Sequence, residues 1–279
     1  MTVLLQPSRP ASSGEISTYM TVVLFFVTHG IVNSLLLAFS PIRCIYWKRA
    51  ECNQDEAWML NWLAFGMFHV NVLIACLAKK ARGHVILEQR LVFLVTALIV
   101  SYLSTGVFLL DHINKAIAGV QLAFYVVLLV VIIQHQSTAP FQVPLPAQLR
   151  SSSFDFRKQF PIATVAVALQ CVLSLFQVWD MTFGNGRYYY LGDLSGSIFN
   201  SISHAAVTQM LWVTLILGFS ILLATPEQQK FMLKGEAFSL FITLVLLSGE
   251  QGSKMDLTQT RAACVGTFFS MLIALFGSA

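Results

Sequence analysis

The stretch FFVTHGIVNSLLLAF, Phe25–Phe39, decides the fold class, because it is apolar enough for lipid and still carries polar side chains. A helix needs about 20 mostly apolar residues to cross a bilayer. The apolar run reaches back to Tyr19, so the sequence predicts a first membrane span over Tyr19–Phe39. Within this span His29 and Asn33 share one helix face, where they form either a working site or a contact between helices.

The composition of the whole chain indicates that lipid is its main solvent. Of its 279 residues, 56% are hydrophobic and only 11% are charged, whereas about a quarter of the residues in a soluble domain are charged. The formal net charge of +4 is small, and the basic residues lie in short loops between apolar runs. This distribution argues against nucleic-acid binding, which needs a basic face.

Eight apolar runs have the length and composition of membrane spans. They are Tyr19–Phe39, Trp58–Ala78, Leu91–Leu110, Ile117–Ile133, Pro161–Trp179, Ala205–Ala224, Phe231–Gly249 and Ala262–Ser278. The seventh run has Lys234 and Glu236 in its first turns, from which both side chains can extend to the interface. The sequence therefore predicts an all-α fold, a polytopic membrane helix bundle of about eight transmembrane helices.

The distribution of Lys and Arg predicts the orientation of these spans. With eight spans both termini share one side, which carries ten of the 17 basic residues: Arg9, Lys79, Lys80, Arg82, Arg90, Arg150, Arg157, Lys158, Lys230 and Lys234. The excess favours both termini in the cytosol, with the endoplasmic reticulum or the plasma membrane as the expected location. The first span is longer than a signal-peptide core, so we expect it to be a retained anchor.

Two of the five cysteines, Cys44 and Cys52, fall in the first loop, on the side predicted to be non-cytosolic. In an oxidising compartment this pair could form a disulfide. The alternative is two unpaired thiols near the membrane interface, and the sequence does not decide between them.

The chain divides into two similar halves around a polar, proline- and serine-rich connection. This gives a first four-helix repeat at 1–136, a cytosolic linker at 137–158 and a second four-helix repeat at 159–279. The ends of the second and sixth spans lie 146 residues apart. A shift of 141 residues places Gln170 on His29, and a shift of 148 places Glu236 on Glu88. Repeats with an even number of helices insert the same way, which predicts parallel repeats about an axis along the membrane normal.

Each half also resembles a known class of small membrane proteins in its layout. The segment GIVNSLLLAFSP, which begins at Gly30, is followed by a polar outer loop and two helices joined by a short basic turn, with Glu88 opening the third helix. This arrangement resembles the DoxX-like four-helix membrane proteins, seen twice in tandem, although the fifth span lacks the AFSP ending. The resemblance implies an antiparallel four-helix bundle in each half and nothing about chemistry.

The histidines and Asn33 are candidates for a ligand or ion path. His29 and Asn33 are expected to join helices, with His69 on the second span as the expected neighbour. His29, His69 and Cys76 could instead relay protons or bind a metal. No pair of potential ligands has the spacing of a metal motif, so we favour polar packing and expect no metal or other cofactor.

Two acidic residues complete the candidate path. Glu88 and Glu236 are each predicted to open a helix on the cytosolic side, where the helix dipole stabilises a carboxylate. Stabilisation by the helix dipole is enough to explain an acidic residue at both positions. Their matched positions in the two halves also fit a paired ion-entry site.

The function expected from the sequence is that of a non-catalytic structural, partner-binding or lipid-binding membrane module. Motifs of hydrolases, nucleotide-binding loops and metalloproteases are missing, so we expect no enzyme activity. The expected partners are membrane lipids and other membrane protein subunits, and no nucleic acid. The alternative is a transporter or channel for a small solute or ion with its path between the halves. It ranks second because no span has an internal proline or an unambiguous charge at mid-depth.

Overall fold

The computed structural model describes residues 24–36, 54–81, 91–108, 114–136, 161–183, 197–249 and 257–279. Within these ranges the chain forms eight helices and no strand. The helices are α1 (Leu24–Leu36), α2 (Gln54–Ala81), α3 (Leu91–Val107), α4 (Lys115–Gln136), α5 (Ile162–Thr182), α6 (Ser197–Leu223), α7 (Pro226–Ser248) and α8 (Leu257–Ser278). The predicted all-α helix bundle is confirmed.

Five of these helices, α2, α5, α6, α7 and α8, are long and apolar enough to cross a membrane. Shorter apolar segments lie in α1 and α4, over Leu24–Leu36 and Ala118–Val131. Large apolar side chains are exposed on the outside of the bundle, including Phe238, Phe241 and Val245 on α7. An exterior of this kind fits hydrocarbon and not water, so the protein is membrane-embedded.

Helix α2 lies at the centre of the bundle and packs against both α6 and α7. Helix α6 also packs against α5 and α3, and α7 packs against α8 and α5. The remaining extensive contacts join α8 to α5 and α3 to α4. Leu73 and Ile74 of α2, Leu217 of α6 and Leu233 of α7 are fully buried in this core. The centre of the first half is therefore buried against helices of the second half.

The start of α7 differs from the sequence prediction. Thr225 is the N-cap: its hydroxyl accepts from the Gln228 amide, and the Gln228 side chain accepts from the Thr225 amide. Pro226 occupies the first turn, where its missing N–H has no consequence. The prediction placed the start at Phe231, where the apolar run begins, but capping residues and not apolarity fix a helix start. Glu236 therefore does not open a helix; it lies ten residues inside α7, close to its midpoint.

Candidate functional site

A buried ionisable pair joins α2 to α7. The Nε2 atom of His69 and the Oε2 atom of Glu236 share a short hydrogen bond, although the two residues are 167 positions apart. His69 is 4% exposed and Glu236 is 2% exposed. Each side chain comes from near the midpoint of its helix, so the pair lies at the depth where a spanning helix is farthest from water.

The chemistry of the pair follows from its burial. A lone charge in a low-dielectric interior is strongly unfavourable, and a histidine and a carboxylate in contact avoid it by sharing a proton. The pair is then either imidazolium with carboxylate or imidazole with carboxylic acid, and the hydrogen bond is kept in both. Addition or removal of one further proton breaks this balance and leaves a net charge in the core. Both members of the pair are ionisable, which the members of a neutral polar contact are not.

Aromatic rings surround one end of the pair. The Phe65 ring centroid lies 6.3 Å from that of His69, and the Phe68 centroid lies 6.1 Å from that of Phe238. Beyond these rings is a small cavity of about 40 Å³ between α1, α2 and α7. It is lined by Ser34, Leu35, Asn61, Ala64, Phe65, Phe68, Ile242 and Leu246.

The other end of the pair is close-packed. A Cβ atom on Gly235 would lie only 2.6 Å from the Sγ atom of Cys76 and 3.2 Å from Cγ1 of Val72. Glycine is thus needed beside Glu236 for α2 and α7 to approach this closely. Farther along, the Lys79 ammonium lies 5.6 Å from the Phe231 ring centroid.

The described contacts of α1 are with α4 and α2. His69 bonds to Glu236, and the expectation that it neighbours His29 and Asn33 stays a prediction. The His29 ring lies 5.3 Å from that of Phe124 on α4. Histidine contacts depend on helix packing, which the spacing of residues along one helix does not specify. His29 and Asn33 are both half-buried.

The contact between α1 and α2 is made by a glycine. Gly30 packs directly against the Asn71 side chain, with no room for a Cβ atom between them. Asn71 is buried and donates from Nδ2 to the Met67 carbonyl oxygen at 2.8 Å. Gly30 therefore allows α1 and α2 to approach closely, as small residues do between membrane helices.

Several predicted residues lie outside the described part of the chain. These are Glu88, the cysteines Cys44 and Cys52, and the linker at 137–158. Cys76, Cys171 and Cys264 are described as free thiols. In the part of the chain that the structure describes, no three His, Cys, Asp or Glu side chains cluster as they would around a metal ion.

Three glutamines form polar contacts between helices that the sequence analysis did not identify as such. Gln209 of α6 donates to Thr105 and accepts from Ser101 at 3.3 Å, both on α3. Gln170 of α5 and Ser270 of α8 form two reciprocal bonds of 2.6 and 2.7 Å. The signal available in the sequence was a single glutamine within an apolar run. Such a polar side chain needs a hydrogen-bond partner in lipid.

Gln229, near the start of α7, makes the third such contact. Its Oε1 accepts from the Thr164 hydroxyl of α5 at 2.6 Å, and its Nε2 donates to the Ser220 carbonyl oxygen of α6 at 3.0 Å. All three glutamines are buried and satisfied by neutral partners. The His69–Glu236 pair differs from them in being ionisable.

No protein-family model, curated protein or solved structure matches this chain. The resemblance to DoxX-like proteins therefore stays a prediction. The function has to be argued from the site itself.

Proposed function

We propose that this chain is a multi-pass membrane carrier of protons, without catalytic activity, in which His69 and Glu236 bind and release the transported proton. The observation that supports this is the burial of Glu236 against His69 near the midpoint of α7. The sequence analysis favoured a structural module because it found no charge at mid-depth. The position of Glu236 removes that reason, and ionisable residues within spans commonly belong to ion or proton pathways.

The helix contacts support the two-repeat layout as part of this proposal. Within the first half, α2 is the second helix and α3 is the third. Within the second half, α6 is the second helix and α7 is the third. The contacts of α2 with α7 and of α6 with α3 are thus equivalent, and the contact of α2 with α6 lies between them. The contacts of α3 with α4 and of α7 with α8 are a further equivalent pair. Such pairing is expected of two parallel repeats related by an axis along the membrane normal.

A second pair of contacts agrees with the predicted overlay. His29 contacts Phe124 between α1 and α4, and Gln170 contacts Ser270 between α5 and α8. Gln170 follows His29 by 141 residues, which is the shift predicted for the first and fifth spans. Ser270 follows Phe124 by 146 residues, the shift between the ends of the second and sixth spans. In this overlay the counterpart of Glu236 is Glu88, which lies outside the described residues.

The proposed topology has eight spans with both termini in the cytosol, as the distribution of basic residues predicts. In that orientation the end of α1, the start of α2 and the end of α7 face the non-cytosolic side. The proton path then runs along the contact between α2 and α7, which joins the two halves.

Proton flux into liposomes tests the proposal directly. The full chain is reconstituted with a pH-sensitive dye inside, and a pH gradient with a compensating potassium current is imposed. Glu236→Gln keeps the size and hydrogen-bonding capacity of the side chain but cannot ionise, so flux should fall to the level of empty liposomes. Gln209→Leu is the matched control, because it removes a buried polar contact of similar size without touching the pair. Equal flux from the wild type and Glu236→Gln would refute the carrier.

The second candidate remains the non-catalytic module that binds lipids or other membrane subunits. The neutral glutamine contacts favour it, because they show that polar groups in this bundle serve helix packing. If His69 and Glu236 only join helices, replacing both with apolar residues of similar volume should be neutral or stabilising. The double variant His69→Phe, Glu236→Leu with a raised melting temperature and unchanged lipid or subunit association would support this module.

A further inference from the structure

We infer that the cavity between α1, α2 and α7 holds water and gives the His69–Glu236 pair its proton access from one end of the bundle. Towards the opposite end, the described residues beside the pair are close-packed. The role of this water rests on the proposed function. Whether the cavity is hydrated can be measured independently of that function.

The cavity has room for water. Its volume of about 40 Å³ exceeds the roughly 10–15 Å³ that one water molecule requires. Its walls come from the last turns of α1 and α7 and from the first half of α2, so it lies towards the end of the bundle where α1 ends.

Two polar side chains in the wall can hold a water molecule. The Oδ1 atom of Asn61 is buried and has no hydrogen-bond partner among the described residues. The Ser34 hydroxyl donates to the Gly30 carbonyl oxygen at 2.8 Å, which leaves its lone pairs free to accept. A buried water molecule typically needs two to four polar partners, and one that donates to both residues has two. Water would also satisfy an amide oxygen that is otherwise unfavourable in a buried position.

The cavity adjoins the pair along both helices. On α2 its wall includes Phe68, the residue before His69, and Phe65, whose ring faces the imidazole. On α7 its wall begins at Ile242, two turns after Glu236. Between them Ser239 is fully buried, and its hydroxyl has no hydrogen-bond partner among the described residues. The Phe65 ring thus lies against both the cavity and the imidazole, where an apolar ring can open and close a path by wetting.

Towards the other end of the bundle, the described residues beside the pair are close-packed. There Gly235 packs against Cys76 and Val72 at distances that exclude even a methyl group. The pair therefore has a cavity towards one end and close packing towards the other. This asymmetry is expected of a carrier that is closed on one side of the membrane. Under the proposed topology the accessible side is non-cytosolic.

Hydroxyl-radical footprinting of the unmodified protein in nanodiscs tests for the water. Radicals made by radiolysis of water oxidise the side chains that adjoin ordered water, and peptide mass spectrometry locates the oxidation. We expect Phe65 or Phe68 to be oxidised roughly tenfold faster than Phe241, because Asn61 and Ser34 in the cavity wall can bind water. Phe241 is the matched control, since it is 52% exposed on α7 but faces lipid. Oxidation of Phe65 and Phe68 no faster than that of Phe241 would overturn the inference.

A cavity-filling variant tests whether the water serves the pair. Ala64 is buried in the cavity wall, so Ala64→Leu should displace the water, abolish the excess oxidation and reduce proton flux roughly tenfold. Val245→Leu adds a methylene on the lipid face of α7 and should change neither. Lost oxidation with unchanged flux would overturn the access route and leave the carrier intact. Oxidation of Phe65 or Phe68 in a protein that moves no protons would refute the carrier and still support the hydrated cavity.

Discussion

The contact between α2 and α7 and the contact between α3 and α6 both join the two halves, yet they use different chemistry. The first contains the ionisable His69–Glu236 pair, and the second contains Gln209 with Ser101 and Thr105. Both sets are buried, and both satisfy their hydrogen bonds within the bundle. A neutral cluster can only hold two helices together, whereas a histidine and a carboxylate can also exchange a proton. Among the described residues, the comparison thus separates neutral polar contacts between helices from an ionisable pair.

The largest effect should come from removing one member of the ionisable pair. Glu236→Ala leaves His69 buried without its partner, and breaking a buried ion pair in this way costs about 3–5 kcal/mol. The free energy of unfolding of the reconstituted protein, measured by denaturant titration, checks this value. Glu236→Gln is the control, because it can still hydrogen-bond to His69 and should retain most of the stability. If Glu236→Ala lost less stability than Gln209→Ala, the two contacts would not differ energetically as proposed.

A smaller loss of stability is expected from a substitution beside the pair. Gly235→Ala places a methyl group against the Cys76 sulfur, and overpacking of this kind costs about 1–3 kcal/mol. Cys76→Ala should restore part of the loss in the double variant, because it removes the clashing atom. Gly218→Ala and Gly266→Ala are matched controls in helices where an added Cβ meets nothing within 4 Å. Thermal melting of the four proteins would show whether the packing is as close as described.

The neutral contact of Gln209 should contribute less to the free energy of unfolding than the ionisable pair. Gln209→Leu removes the bonds to Ser101 and Thr105, and an interhelical hydrogen bond in a membrane contributes about 0.6 kcal/mol, with roughly 1.7 as the highest measured value. We therefore expect a loss of about 1 kcal/mol with proton flux unchanged. Lost flux in this variant at normal stability would make the contact of α3 with α6 a second functional site.

The smallest effects are expected in α1. His29→Leu and Asn33→Leu should each lower stability by less than about 0.6 kcal/mol, because leucine keeps the apolar contact of His29 with Phe124 and both positions are only half-buried. Proton flux should persist in both variants, while it disappears in Glu236→Gln. If flux is lost in His29→Leu at unchanged melting temperature, the proton path extends to α1 and the pair is not its only ionisable centre.

Composition and apolar run length were sufficient to predict helices in lipid, because those properties are set locally along the chain. They did not locate the start of α7, since the capping residues Thr225 and Gln228 lie outside the apolar run. His69 and Glu236 were each identified as candidates, but their pairing was not predicted. It depends on how α2 packs on α7, and residues 167 positions apart carry no local signal of such a contact. For the same reason the contact of His29 with Phe124 was not predicted: a helix face is visible in sequence, but its partner helix is not.

The short connection between α6 and α7 has a consequence for biosynthesis. Only Ala224 and Thr225 separate the two helices, so they should enter the membrane together as one hairpin. A carboxylate at the centre of an isolated span raises the free energy of insertion by about 2.5–3.5 kcal/mol. The ribosome makes His69 long before Glu236, so α2 is already in the membrane when the hairpin arrives. Helix α2 can then act as an internal receptor for the hairpin, and a chain that keeps Glu236 but lacks His69 should be retained by quality control.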